Sequence, residues 1–288
     1  MSKLWKVLST FTLLSISFSS FADAPVWQVS KNGETVYFGG TVHVLSESDY
    51  PLPQAFDQAY QQSSVLVFEM DMSLTQTMAF QQQMLQQMTY QDGRTYADDL
   101  KPETVKKLNA YMESKGIPVA NLQMFKPSML SVTLTMVELQ RLGLGGTGVD
   151  AFFSTRGIAD KKSFKYLELP EQQISYLANM GKGYEDELIN YTLDDMKKLP
   201  TMMKEMKDAW RTGDNEELYN VAGKEWQEKF PKSYNQLLVE RNNNWMPAVE
   251  GYFNTKEVEF VLVGAMHLVG KEGVLSQLQA KGYTIKQL

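Results

Sequence analysis

The chain alternates short β-branched and aromatic runs with long amphipathic stretches, and the two kinds of segment are unevenly placed. "VWQVSKNGETVYFGG" shows period-two alternation on either side of Lys31-Asn32-Gly33, the pattern of a β-hairpin. Leu52, Phe56, Ala59 and Tyr60 then recur at three- and four-residue spacing after Pro51 and Pro53, which predicts a short helix. "SSVLVFEMDM" reads as a strand with apolar residues on both faces, as in a strand covered on both sides. From Leu74 to about Asn121 the spacing is helical, "KPSMLSVTLTMVELQRLGL" predicts a helix begun by Pro127, and a long helical stretch runs from Glu171 to about Phe253. "FKYLELP" at 164–170 predicts a third buried strand, while "VEFVLVGAM" and "YTIKQL" predict the last two, separated by the helix-like "KEGVLSQLQAKG". The sum is an α/β fold whose central sheet comes from the two ends of the chain, with a large helical middle region. No linker-like change of composition divides it, so residues 23–288 are expected to form a single domain.

Composition narrows the setting. Lys3 and Lys6 precede an apolar run that ends in Ser20-Phe21-Ala22, the small-x-small pattern of a signal-peptidase site, so residues 1–22 read as a signal peptide. The run is rich in Ser and Thr and short for a bilayer span of about 20 residues, and no second long apolar stretch follows, so no stable membrane span is expected after cleavage. The expected location is periplasmic or secreted. With no cysteine there is no disulfide framework and no thiol nucleophile. Removing Lys3 and Lys6 moves the net charge from -6 to -8, and an acidic chain without a basic cluster argues against nucleic acid as a partner.

The familiar catalytic signatures fail one by one. "GLGGTG" at 143–148 matches a dinucleotide fingerprint, but a helical pattern precedes it where a strand is needed, so a helix-ending loop is the better reading. There is no Gly-x-Ser-x-Gly elbow and no lysine-bearing phosphate loop, and the two histidines are too far apart for His-Glu-x-x-His. What remains is a set of polar residues at the carboxyl ends of apolar strands: His43, Glu69 with Asp71, Glu168 and His267. In open α/β sheets that edge is where ligands bind. Strand periodicity would put Glu69 and Asp71 on one face, and two carboxylates there are costly unless a cation or hydrogen-bond donors receive them. Both histidines follow an apolar run as Gly-x-x-His, where glycine lets the backbone turn sharply near a ligand. A divalent metal shared by His43, Glu69 and His267 would relieve the carboxylate and keep positions open for water and substrate. On that reading, replacing Glu69 by Gln leaves the metal-free protein folded or even more stable, because an unpaired buried charge is removed.

These motifs, in this order, resemble the TraB/PrgY/GumN family, related to the Tiki proteases that clip Wnt proteins. The resemblance covers nearly the whole mature chain and rests on "FGGTVHVLSESDYPLP", "VLVFEMD", "GTGVDAFF", "YLELPEQQI", "LLVERNNNWMPAVEGYF" and "FVLVGAMHLVGKEGVLSQLQAKGY". It implies a Tiki/erythromycin-esterase-like fold and a metallopeptidase site using a divalent ion, manganese or cobalt first and zinc next. Carried over, the two motifs become Gly40 to His43 and Gly264 to His267, the strand carboxylate becomes Glu69, and the Arg-Asn pair becomes Arg241 and Asn242. One departure stands at "FKPSML", where Ser128 takes a place often held by an aromatic, which bears on the substrate groove more than on the metal. An ion at His43, Glu69 and His267 would polarise a carbonyl and activate water. Asp71 or Glu168 would take the proton, Arg241 would steady the oxyanion, and Asn242 would orient a ligand or cap a loop.

The expected function is metal-dependent hydrolysis of a peptide or protein substrate; the alternative is a non-catalytic peptide-binding or haem/iron-binding protein of the same fold. The sequence leaves the oligomeric state open. Protein isolated from its native host is expected to begin at Asp23, and N-terminal sequencing that finds Met1 in a membrane fraction would reject the export reading.

Overall fold

The computed structural model describes residues 24–288. The expected signal peptide lies outside the described residues. Eight strands follow in order: β1 (Val26–Lys31), β2 (Glu34–Thr41), β3 (Val44–Leu45), β4 (Val65–Phe68), β5 (Gly146–Thr147), β6 (Ser163–Tyr166), β7 (Glu259–Gly264) and β8 (Thr284–Gln287). β1 and β2 form the expected antiparallel hairpin, with Lys31 opposite Glu34. Asn32 and Gly33 both have positive φ, 54° and 91°, which is the two-residue turn whose twist matches a hairpin.

Six strands make one mixed sheet in the order β6-β4-β7-β2-β1-β8. The pairs β6/β4, β4/β7 and β7/β2 are parallel, whereas β1 runs antiparallel to β2 and to β8. Four strands therefore point their carboxyl ends to the same edge. The register aligns them: Thr41 lies beside Gly264, Leu262 beside Phe68, and Phe68 beside Tyr166. β4 and nearly all of β7 are buried, as their unbroken apolar runs foretold.

β6 departs from expectation. It is an edge strand with both end residues exposed, Tyr166 among them, because it has a single neighbour and incomplete cover. It also comes from the middle of the chain, so the sheet is not built from the two ends alone. The "GLGGTG" segment does end a helix, Pro127–Arg141, and then supplies β5, which pairs antiparallel with β3.

The helical middle has its own apolar clusters. Leu108 and Met112 from helix Pro102–Ser114 meet Leu130 and Leu134 from Pro127–Arg141, with Ile189 and Leu193 from the long helix Glu185–Thr212. Helices at Pro102, Pro127 and Pro170 begin with proline, whose missing N–H has no intrahelical role in the first turn. Trp210, near the end of the long helix, is buried and donates its indole N–H to the Gly40 carbonyl at 2.8 Å, which ties the helical region to β2.

One buried charge guards the far end of the sheet. Glu259 opens β7 fully buried, and Lys165 on β6 reaches its Oε1 at 2.9 Å. Replacing Lys165 by Met is expected to destabilise the fold by about 3–5 kcal/mol, the loss typical of a buried carboxylate left without its cation. Urea unfolding checks it, and a change under about 1 kcal/mol would show that Glu259 does not depend on Lys165.

Candidate functional site

The four aligned strand ends deliver four of the expected side chains to one edge. His43 follows β2 by two residues, Glu69 follows β4 directly, Glu168 follows β6 by two, and His267 follows β7 by three. Across this edge lies the helix Glu240–Tyr252, preceded by a π-helical turn at Asn235–Val239, and it carries Arg241.

Arg241 organises the cluster. Its Nε and Nη2 donate to Glu168 Oε1 and Oε2 at 2.7 and 2.9 Å, a bidentate fork. Nη2 also donates to Glu69 Oε2 at 2.6 Å, and Nη1 donates to His267 Nε2 at 3.0 Å and to the Leu237 carbonyl at 3.3 Å. All five guanidinium N–H groups are thereby engaged. Glu69 Oε1 accepts the Gly264 N–H at 2.8 Å, and Trp245 donates to Glu168 Oε1 at 2.8 Å. Gln173 bridges the two carboxylates, donating to Glu69 Oε2 and Glu168 Oε2 at 3.2 and 3.1 Å.

Burial would raise the Glu69 carboxyl, but the charges around it and the Gly264 N–H outweigh burial and hold it below the ordinary carboxylate range. His267 is one of its neighbours, but it is neutral by its own hydrogen bonds, so the Arg241 guanidinium is the charge that holds Glu69 down. Nε2 faces an arginine, which only donates, so the proton sits on Nδ1 and goes to Asn242 Oδ1 at 2.6 Å. Asn242 is fully buried and turns its amide N–H groups to the His267 and Glu272 carbonyls, which fixes that orientation. Burial is the main reason the His267 imidazole falls to about 3, and the Trp245 ring packs against it with centroids 4.4 Å apart. The raised pKa of Arg241 follows from Glu69 and Glu168, which overcome the cost of burying it.

His43 takes a different partner. Its Nδ1 lies 2.8 Å from Asp150 Oδ2, and the Asp150 charge is the main cause of a pKa raised to about 9. The imidazole is 66% exposed, so water screens this pair and it adds little stability. Asp150 belongs to the first turn of helix Val149–Ala159, held there by β5 and by the Val149 N–H on the Val42 carbonyl at 3.1 Å. Gly148 is required at this point because a Cβ would run into the His43 backbone.

Asp71 does not join the site. β4 ends at Phe68, so the alternation that would pair Asp71 with Glu69 stops there, and Asp71 caps the following turn by accepting from Ser73 N and Oγ at 2.9 and 2.7 Å. The expected stability gain from Glu69→Gln is also corrected, since Glu69 is fully paired. An amide there sets a donor against Arg241 or Gly264 and should cost about 1–3 kcal/mol. Four contributors escaped the sequence reading: Asp150, Gln173, Trp245 and Thr41. Trp245 stands one helical turn beyond Arg241, a spacing that was visible; nothing local marks the other three.

A cavity of about 30 Å³ opens between Thr41, His43, Glu69, Asp150 and Gln173. Tyr176, its ring 5.5 Å from the Arg241 guanidinium, leads into a larger open groove of about 530 Å³ lined by Asn179, Lys182, Lys232, Asn235 and Gln236. Among the described residues no three His, Asp or Glu side chains stand ready as a metal-holding group, and Arg241 lies between Glu69 and His267. Part of the donor set is nonetheless arranged as for an ion. Each imidazole is held at Nδ1 by an acceptor, which turns Nε2 away from its anchor, though Nε2 of His267 already accepts from Arg241, and two buried oxygens beside the small cavity, Thr41 Oγ1 and Asp150 Oδ1, have no partner.

A mixed α/β sheet whose parallel strand ends converge on an arginine, two carboxylates and two histidines defines the class. The chain belongs to the TraB/PrgY/gumN family, whose model matches residues 25–287. No curated protein and no solved structure matches it. No described helix is long and apolar enough to cross a membrane.

Arg241→Met is expected to destabilise the protein by about 3–5 kcal/mol at neutral pH, because Glu69 and Glu168 lose their cation. The folded-state pKa of Glu69 lies below its ordinary 4.5, so the stability it contributes is fully present above that value and is lost as pH falls below it through the depressed folded-state pKa. Thermal melts at pH 7 and pH 3 should show the gap between parent and variant narrowing at the lower pH; an unchanged gap would mean that Arg241 does not hold the carboxylate down.

Proposed function

We propose that the protein is an exported, metal-dependent hydrolase that cuts peptide bonds, with the fold of the Tiki/erythromycin-esterase group. The observation that carries this reading is the paired anchoring of the histidines: Asp150 holds His43 and Asn242 holds His267, both through Nδ1, beside the partly buried Glu69. Imidazoles fixed in this way are the usual form of metal-ligating histidine. His43, Glu69 and His267 would hold a divalent ion, manganese, cobalt or zinc. When bound, the ion supplies Lewis-acid polarisation of a carbonyl and a water made acidic enough to attack near neutral pH.

The protein's own residues do the rest. Asn242 and Asp150 set the two imidazoles, and Gln173 and Trp245 keep the carboxylates in place. Arg241 has no N–H to spare for an oxyanion, so its role is to hold Glu69, Glu168 and His267 in register. Both oxygens of Glu168 receive donors, from Arg241, Gln173 and Trp245, and Asp71 lies outside the cluster. The adjoining groove, with amide side chains from Asn179, Asn235 and Gln236, suits the carbonyl and N–H groups of an extended peptide.

The test uses the mature chain, residues 23–288, stripped of metal and restored with manganese, cobalt or zinc against a peptide library. Cleavage should depend on the ion, and Glu69→Gln should lower both ion affinity and rate by about tenfold or more while the protein stays folded. If the parent cuts nothing with any of the three ions, the binding-protein reading replaces this one; a Soret band on the purified protein would identify its haem form.

A further inference from the structure

The helical middle of the chain holds a cavity of about 220 Å³ that the candidate site does not use. It lies between the helices Pro127–Arg141 and Glu185–Thr212, with Trp226 and Phe230 completing the wall. Protein cores leave few voids larger than a water molecule, so a space of this size needs an occupant. Its hydroxyl and indole groups are largely engaged already: Ser131 Oγ lies 2.8 Å from Thr192 Oγ1, Thr135 donates to the Ser131 carbonyl at 2.8 Å, and Trp226 donates to Ser233 Oγ at 3.1 Å. What remains toward the cavity is mostly apolar, with Met180, Met196 and Met202 on the wall beside Tyr184, Tyr191 and Phe230. Phe230 is the hub of these rings, its centroid 4.5 Å from that of Tyr191 and 6.2 Å from that of Tyr184. The Tyr184 hydroxyl is buried with no hydrogen-bond partner.

The cavity adjoins the polar groove of about 530 Å³ that leads from the site. Tyr184 lines both, and in the π-helical turn Gln236 lines the groove while Leu237 lines the cavity. The Leu237 carbonyl in turn accepts from Arg241. We infer that this cavity is the side-chain pocket for an aromatic residue of a peptide whose backbone lies in the groove. The inference rests on the peptide reading of that groove and deepens it. Size agrees: an apolar cavity of about 150 Å³ is enough for benzene, whereas drug-sized ligands take about 300 Å³ or more. Rings on the wall favour an aromatic guest through edge and offset contacts, and methionine side chains adapt to its outline. A cationic guest has less to gain, although Asp195 also lines the cavity, because burial pushes that carboxyl up and Lys198 and Lys229 already stand near it. The unpaired Tyr184 hydroxyl, shared by groove and cavity, is left to bond the peptide backbone.

The test needs no cleavage. Metal-stripped mature chain, labelled at the methionine methyls, is titrated with blocked alanine pentapeptides whose central residue is Phe, Lys or Ala, and binding is read by calorimetry and by the methyl resonances. The Phe peptide should bind about tenfold or more tighter than the other two, the gain expected from burying one large apolar side chain. It should also shift the resonances of Met180, Met196 and Met202. Thr135→Phe, which fills the cavity, should abolish the preference. Tyr184→Phe keeps the shape and should weaken the Phe peptide about threefold or more while melting no lower than the parent, because an unpartnered hydroxyl is gone; it serves as the variant if the filled one does not fold. Equal binding of the three peptides, tighter binding of the Lys peptide, or methyl shifts confined to other methionines overturns the inference, even if the protein cleaves peptides. Preference for the Phe peptide without cleavage under manganese, cobalt or zinc leaves the inference standing and removes the hydrolase reading.

Discussion

Arg241 makes five donations within the protein, and the geometry of the whole strand edge depends on it. Glu69 and Glu168 leave neighbouring parallel strands and are buried close enough to share Gln173. Without a cation between them, one would have to take up a proton or move to solvent. A lysine would not serve in its place: three donors on one atom cannot fork onto one carboxylate, reach a second, and still contact His267. The planar guanidinium does all of this, and the helix carrying it must therefore lie across the ends of β4, β6 and β7. Trp245, one turn farther along that helix, shields the same carboxylate and packs on His267, so the helix is fixed by polar and apolar contacts that agree.

The parallel arrangement explains why much of this edge was legible in the sequence. Buried parallel strands are short, unbroken apolar runs, and a polar residue right after such a run has few places to go other than the sheet edge where ligands bind. His43, Glu69, Glu168 and His267 could be gathered by that logic alone. Asp71 could not be placed by it, because the alternation that joined it to Glu69 presumed three more residues of strand than β4 has. β6 was read as a buried strand, but it is an edge strand with a single neighbour and both end residues exposed. Asp150 was the harder case. It reaches His43 across 107 residues of sequence by way of a two-residue strand and a glycine without which the backbones would collide, and none of these leaves a local hydrophobic signature.

The two histidines share a motif and yet sit in opposite electrical settings. His267 is sealed under Trp245, neutral, with an acceptor at Nδ1 and a guanidinium at Nε2, so every polar atom of its ring is satisfied within the protein. His43 faces solvent, paired to a carboxylate whose other oxygen has no partner. The cluster is thus closed at one end and incomplete at the other. Arg241 supplies the positive charge at the closed end and the His43 imidazolium supplies it at the open end, and Glu69 belongs to both, with Oε2 on the guanidinium and the small cavity at its side.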